Sequence, residues 1–409
     1  MSIQKVVLLT QFSNEYLQDM CSALARGFLQ EGIDARLINA EEKPDAVRKQ
    51  IDELHPDMIF EINRTRNQNK QLIPDEIIHI AWIQDAWFNN GSGKPKQLHA
   101  YDPNFGGSDI TYTLLSPSYF GLEHKQNEGI WGCLHTGIEP YHFYPTDEPV
   151  IENSAAICGY IPDPPQYMKV RGYPLAWNQA GRQYMSDRMV NYLLNDAKVS
   201  TSKHSYTDIH NLMAAEMSRD LGCEIHGDQI ARSLDQCWLM LYMDTELPRL
   251  NDRINLARAA HKSGLDLQIY GYEGWLLWAE FALDYRGNLR WKSDLAQVYR
   301  HTQFNLHNGA FGMHSRVLDC MASGGSIFVS TGRYADNDIQ HHFVDGEHYI
   351  ATEIETWADT LASWRGRSKE LRAIGHNAAE EVLKHHTWRH RAREIIADLE
   401  SLAAMAAST

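Results

Sequence analysis

FNLHNGAFGMHSRVLDCMASGGSIFVST, residues 304–331, reads as a strand, a glycine-bearing loop, a helix, a Gly-Gly stop and a second strand. Two strands joined through one helix are the repeating unit of a parallel sheet. Ser315 is the expected N-cap of the helix. Val317, Leu318 and Met321 would face the core, and Arg316 and Asp319 lie one turn apart on one face. Gly309 and Gly312 let the backbone approach something closely. A helix start beneath such a loop offers free N–H groups and partial positive charge, which favour phosphate. Arg316 can add a bidentate phosphate contact, and Asp319 can accept hydrogen bonds from ribose hydroxyls. His307 and His314 flank the loop, where a phosphate contact and an ordinary structural role fit equally well. An αβ turn with a surface ion pair also satisfies the whole stretch.

The same rhythm runs outward. Before it, LDLQIYG (265–271) is a strand ending in glycine, followed by Tyr272. The turn Gly271-Tyr272-Glu273-Gly274 falls where a nucleotide base would lie, or is simply a turn. LRWK (289–292) and HYIA (348–351) read as further strands, and the last sixty residues as helices. Residues 165–262 read as mostly helical. Within them DQCWLMLYM (235–243) suits a core or an oligomer contact better than a cofactor box.

The N-terminal half alternates too: strands KVVLLT (5–10), DARLINA (34–40), DMIFEI (57–62), IIHIAWIQ (77–84) and ITYTLLS (110–116), with a helix at 15–32. Near-continuous apolar strands point to a parallel sheet covered on both faces. Ligands meet such sheets at the carboxyl ends of the strands. Gln11 and Phe12, Asn63 and Arg64, and Asp85 and Trp87 all follow strand ends. In WIQDAW (82–87) Asp85 is either a base or a helix cap, and Glu61 is a weaker candidate base. Trp82 and Trp87 form an apolar or sugar-stacking wall, or Trp82 is core. The Pro- and acid-rich passage 134–165 reads as a linker leading into the strand SAAICGYI (154–161). The expected domains are therefore 1–148, 149–385 with the helical segment 165–262, and a last helix, 386–409, crossing back.

Bulk properties bound the function. At 409 residues two domains are expected. With 43 % hydrophobic and 22 % charged residues the chain is globular. A net charge of −15 argues against unaided binding to nucleic acid or an anionic membrane. The start is not a signal peptide, and no run approaches a membrane span. The six scattered cysteines include no CxxC pair, so reduced thiols in a cytoplasm are expected. His386 and His390 have metal-like spacing but no HExxH glutamate between them, which favours helix packing. No GxGxxG follows the first strand, which counts against a nicotinamide dehydrogenase.

The segment Arg316-Val317-Leu318-Asp319-Cys320-Met321-Ala322-Ser323-Gly324 resembles the donor-site segment of GT-B glycosyltransferases. There an acid followed by a small or apolar triplet and Gly sits on the nucleotide ribose. The nearer likeness is to the CgeB-type, family-1-like group, through Phe343-Val344-Asp345-Gly346-Glu347-His348-Tyr349 and His386-Thr387-Trp388-Arg389-His390-Arg391. The passage His135–Pro145 is similar to the GT-B approach to the interdomain linker. The resemblance implies an α/β fold of two Rossmann-like doubly wound domains facing a cleft, with a helical insertion in the C-terminal half. It implies transfer of a sugar from a nucleotide sugar, a UDP-sugar first, to a glycan, protein or small molecule, without metal or other cofactor. The implied donor-side residues are Gly271, Tyr272, His307, Gly312, His314, Ser315, Arg316 and Asp319. The acceptor side holds Gln11, Phe12, Asn63, Arg64 and Trp87, with Asp85 as base. A homo-oligomer fits as well. Two departures stand out: position 311 is Phe where retaining members carry a second acid, and Asp319 replaces the usual Glu. The rival expectations are a nucleotide-sugar epimerase and a binding protein without turnover.

Overall fold

The computed structural model describes residues 3–89, 96–126, 129–168, 172–233, 238–330 and 337–406; Asp235–Cys237 of the 235–243 stretch and Thr331 lie outside them. The chain divides into two compact units. One comprises the described residues of Met1–Asn89, Gln97–Pro140 and Glu381–Thr409, the other those of Asn90–Lys96 and Tyr141–Glu380.

The first unit is built on β1 (Lys5–Thr10), β2 (Asp34–Asn39), β3 (Met58–Ile62), β4 (Ile78–Ile83), a short ribbon of β5 (Trp87–Asn89) and β6 (Lys96–Leu98), then β7 (Ile110–Thr113) and β8 (Ile130–Cys133). The sheet order is β2-β1-β3-β4-β7-β8, parallel throughout. Val6 to Leu9 are buried on both faces, which explains their unbroken apolar run. The strand β8 was not anticipated: it is half-buried along its length and interrupted by Gly132, so no pattern marks it. The helix α1 (Glu15–Gln30) starts under Asn14, whose side chain accepts from Leu17 N, and buries Met20, Cys21, Leu24 and Phe28. A second helix, α2 (Pro44–Leu54), follows β2.

The second unit holds β9 (Ile151–Cys158), β10 (Pro174–Trp177), β11 (Gln183–Met185), β12 (Asp266–Tyr270), β13 (Tyr285–Gly287), β14 (Thr302–His307), β15 (Ile327–Ser330) and β16 (Ile350–Thr352). Its main sheet runs β13-β12-β9-β14-β15-β16, again parallel. The helices are α3 (Ser186–Asn191), α4 (Tyr206–Leu221), α5 (Gly227–Ser233), α6 (Trp238–Leu241), α7 (Leu247–Lys262), α8 (Lys292–His301), α9 (Ser315–Ala322), α10 (Trp357–Trp364), α11 (Ser368–His385) and α12 (Trp388–Ala406). The unit boundary falls inside α11, and α12 belongs to the first unit, packed on α1.

Two segments fold differently from expectation. Residues 165–262 are not helical from the start: β10 and β11 form an antiparallel hairpin. Its turn closes through Asn178, whose side-chain oxygen accepts from Ala180 N and Arg182 N, and through Gly181 at φ +73°. LRWK is not a strand either. The edge strand ends earlier, at Gly287 (φ +110°), and Lys292 already opens α8.

The quoted segment folds as strand, loop, helix and strand. Val317, Leu318 and Met321 are fully buried. The Gly-Gly stop works by backbone closure: Gly324 (φ +78°) donates to Met321 O at 2.9 Å, and Gly325 to Cys320 O at 3.0 Å.

Candidate functional site

In the second unit, three chain segments meet at the carboxyl edge of the sheet. The strand β9 runs into Gly159, β14 ends in His307 and Asn308, and α9 begins beyond the loop 309–314. The helix α7 lies against them with Arg249 and Arg253 one turn apart. A Cβ on Gly159 would sit 3.3 Å from Arg253 Nη2 and 3.3 Å from Arg316 Nη1. Two guanidinium groups thus flank one point of backbone.

Neither arginine forms an ion pair among the described residues. Arg253, 5 % exposed, donates to Asn308 Oδ1 at 2.8 Å, and its Nε has no partner. Asn308 Nδ2 and His307 Nε2 are likewise buried without a partner. The His307 and His314 rings lie 4.8 Å apart. Arg249 differs: it pairs with Glu246 at 3.0 Å, hydrogen-bonds the Tyr160 hydroxyl and stacks on that ring.

The electrostatics follow from this crowding. Burial, then Arg316 and Arg249, push Arg253 down to about 9. Burial, then His314, Arg253 and Arg316, hold His307 well below the usual histidine range. Burial and the three arginines do the same to His314. Asp252, next to Arg253 in sequence, is engaged elsewhere: its carboxylate accepts from Thr201 N (2.9 Å) and Oγ1 (2.5 Å), and burial raises it to about 6. The cluster therefore carries more positive than negative charge, with Arg253, His307 and Asn308 buried from water and His314 and Arg316 partly so. An anion is the complement.

The loop does not offer that anion its backbone in the expected way. Gly312 N donates to both carboxylate oxygens of Asp338 (2.8 and 2.9 Å) and Met313 N to one (2.8 Å). Gly312 is needed for packing, since a Cβ there would come within 2.5 Å of Ile339 Cγ2. Nor is Ser315 the N-cap. His314 takes the extended cap conformation, and its Nδ1 accepts from Arg316 N at 3.1 Å, leaving Ser315 as the first helical residue. Asp319 sits half-buried one turn beyond Arg316. Gly271 reaches the same sheet edge: its φ is +157°, and a Cβ would collide with Gly159 O. Tyr272 beyond it is exposed.

In the first unit, Gln11 and Phe12 follow β1, Asn63 and Arg64 follow β3, and Asp85 and Trp87 follow β4, all at one edge of the parallel sheet. Asn63 ties two of these ends together. At φ +57° its side-chain oxygen accepts from Gln84 N (2.7 Å) and Asp85 N (3.0 Å), and its amide donates to the Asp85 carboxylate at 2.8 Å. Asp85 therefore caps no helix; β5 follows it, and its side chain stays exposed. Trp82 is core, not a wall: it is fully buried, with Nε1 donating to Leu134 O at 2.9 Å and its ring edge-on to Trp388. Glu61 is buried within β3, accepting from Asn69. His386 is held by Arg391 and His390 by Thr387. Among the described residues no group of three or more His, Cys, Asp or Glu is arranged to hold a metal ion, and no helix is long and apolar enough to cross a membrane. The described cysteines are free thiols; Cys237 lies outside the described residues.

Sequence reading missed Arg253, Arg249, Asn308, Gly159 and Asp338. The only available signal was the i, i+4 spacing of Arg249 and Arg253, which looks like any solvated helix face.

Residues 252–397 match the family described as glycosyl transferase-like. Among solved structures, the fold matches sucrose-phosphate synthase from Thermosynechococcus elongatus (TM-score 0.53, 10 % identity, 98 % of this chain and 100 % of that one). It also matches a glycosyltransferase from Rickettsia africae (0.50, 10 %, 98 % and 99 %) and AviGT4, a glycosyltransferase of avilamycin A biosynthesis (0.50, 8 %, 98 % and 98 %). No curated protein sequence matches the chain. Two parallel six-stranded sheets with flanking helices, and these likenesses, define the GT-B fold. The glycosyl transferase-like segment, which covers α9 and its surroundings, thus lies within a chain of GT-B fold.

Proposed function

We propose that the second unit binds a nucleoside diphosphate sugar, a UDP-sugar being the first to assay, and that Arg316 and Arg253 hold its diphosphate. The carrying observation is the pair of guanidinium groups flanking Gly159 without a carboxylate partner. As the glycosidic bond breaks, negative charge builds on the departing phosphate, and prepositioned cations in a dry site stabilise it. The sugar becomes oxocarbenium-like. Asp319 accepts from the ribose hydroxyls, and Tyr272 lies where the base would rest. On the acceptor side, Asp85 is the base, oriented by Asn63. The acceptor is a glycan, a protein or a small molecule, and transfer needs no divalent metal.

Titration calorimetry with UDP, GDP, dTDP and ADP tests the donor reading. One nucleotide is expected to bind, with Arg316→Ala and Asp319→Ala each weakening it about tenfold or more. Binding of none of the four would overturn the reading. Incubating the matching nucleotide sugars without acceptor then separates transfer from epimerisation, which alone yields an epimer under those conditions.

A further inference from the structure

We propose that His314 is a fixed, uncharged N–H donor that presents Nε2–H to a phosphate oxygen of the nucleoside diphosphate. The inference rests on the donor reading above and adds an atom, a tautomer and a charge state to it.

The helix start sets the tautomer. His314 Nδ1 accepts the Arg316 backbone N–H as the N-cap of α9. A ring nitrogen that accepts carries no proton, so the single proton of the neutral ring sits on Nε2. Protonating the ring would turn Nδ1 into a donor facing another donor and leave the Arg316 amide unpaired.

The surroundings oppose the imidazolium as well. His307 from β14, Arg249 and Arg253 from α7, and Arg316 from α9 all face the ring, and no carboxylate among these neighbours offsets them. The Phe311 ring, centred 5.4 Å away, is a further neighbour.

A second observation points to an anionic ligand. Beside His314 stand three further polar groups without partners: His307 Nε2, Asn308 Nδ2 and Arg253 Nε. Their residues are 4 %, 2 % and 5 % exposed. Buried polar groups are almost always satisfied, and a cluster of unsatisfied ones, of which Asn308 Nδ2 and Arg253 Nε can only donate, next to guanidinium groups without a carboxylate calls for one acceptor-rich molecule. A diphosphate supplies several anionic oxygens at once. A neutral donor suits this place, since it adds a hydrogen bond to the leaving group without adding a fourth cation to the cluster.

His314→Asn is the informative variant, because Asn is itself a good N-cap and keeps the acceptor for Arg316 N. It lacks the ring and Nε2–H. With UDP and inorganic pyrophosphate as calorimetric probes, His314→Asn should weaken both about 10- to 100-fold at an unchanged melting temperature. In ¹⁵N-histidine spectra of the wild type, His314 should be the neutral Nε2–H tautomer at pH 6, free and with UDP. Affinity of His314→Asn within about twofold of wild type, an Nδ1–H tautomer, or an imidazolium at pH 6 would each overturn the assignment while leaving the donor reading intact. If the wild type binds none of UDP, GDP, dTDP, ADP and pyrophosphate, both fall together.

Discussion

Replacing Arg253 by methionine should stabilise the protein and disarm it. A charged guanidinium 5 % exposed and crowded by two other arginines is costly to the fold. Burial lowers it to about 9. From an ordinary value of roughly 12.5 or above, that drop is on the order of 4–5 kcal/mol against the charged form. Methionine fills much of the same volume. It forfeits the bond to Asn308, and leaving that buried side chain unpaired costs about 1–3 kcal/mol. The net gain is about 1–4 kcal/mol, or a rise in Tm of about 2–16 °C for a unit of this size. The pH dependence has a definite sign. The unfolded chain holds this proton at higher pH than the folded one, so the wild-type penalty is fully present below about 9 and relieved above it. The Arg253→Met advantage should accordingly be constant from pH 6 to 8 and shrink above about 9. Nucleotide affinity should fall about 100-fold or more, because a desolvated charge-assisted contact is lost. Scanning fluorimetry with and without UDP reads both effects. A lower melting temperature together with undiminished UDP stabilisation would refute the claim that this arginine is held in readiness for an anion.

Asn63→Ala should cost about 2–4 kcal/mol in urea denaturation: a left-handed backbone costs about 1–2, and the tie to Gln84 and Asp85 is lost. Asn63→Gly should recover the strain part only. Gly271→Ala forces a Cβ onto Gly159 O, so the backbone between Arg253 and Arg316 must move; a loss of about 1–3 kcal/mol in stability and at least about tenfold in UDP affinity is expected by melting and calorimetry. Asp252, raised to about 6, binds a proton more tightly in the folded state, so its contribution to stability falls as pH rises toward 6. Asp252→Asn should therefore gain in melting temperature relative to wild type between pH 4.5 and 7, and an unchanged difference across that range would count against the buried carboxyl.

The parallel sheets were legible because burial on both faces leaves its mark in consecutive residues, as in Val6–Leu9. The strand–helix–strand around α9 was legible for a related reason: its helix is amphipathic and ends in Gly324-Gly325. The hairpin at Pro174–Met185 carried a turn signal in Asn178 and Gly181, but the helical residues that follow outweighed it. The N-cap was misread by one position, because serine is the commoner cap and the extended backbone belongs to His314. The anion cluster was the least legible part. Arg253 gains its meaning from Gly159 and Asn308, which lie 94 and 55 positions away along the chain, and nothing local distinguishes it from a solvated arginine. Asp338 likewise acts on a loop 25 residues earlier.

The packing of α12 on α1 bears on how the chain is made. The first unit needs residues from both ends of its own sequence: Trp388 closes over Trp82, and Asp398 accepts from the Tyr112 hydroxyl at 2.6 Å. While the ribosome is still translating the second unit, α1 can lie on β1 and β2 but lacks α12 on its other side. At about 5–20 residues per second, the roughly 240 intervening residues keep the α12-facing side of α1 waiting for about 10–50 s. The first unit to be synthesised is thus the last to be completed, and for that interval it is the natural client of a chaperone that shields exposed helices.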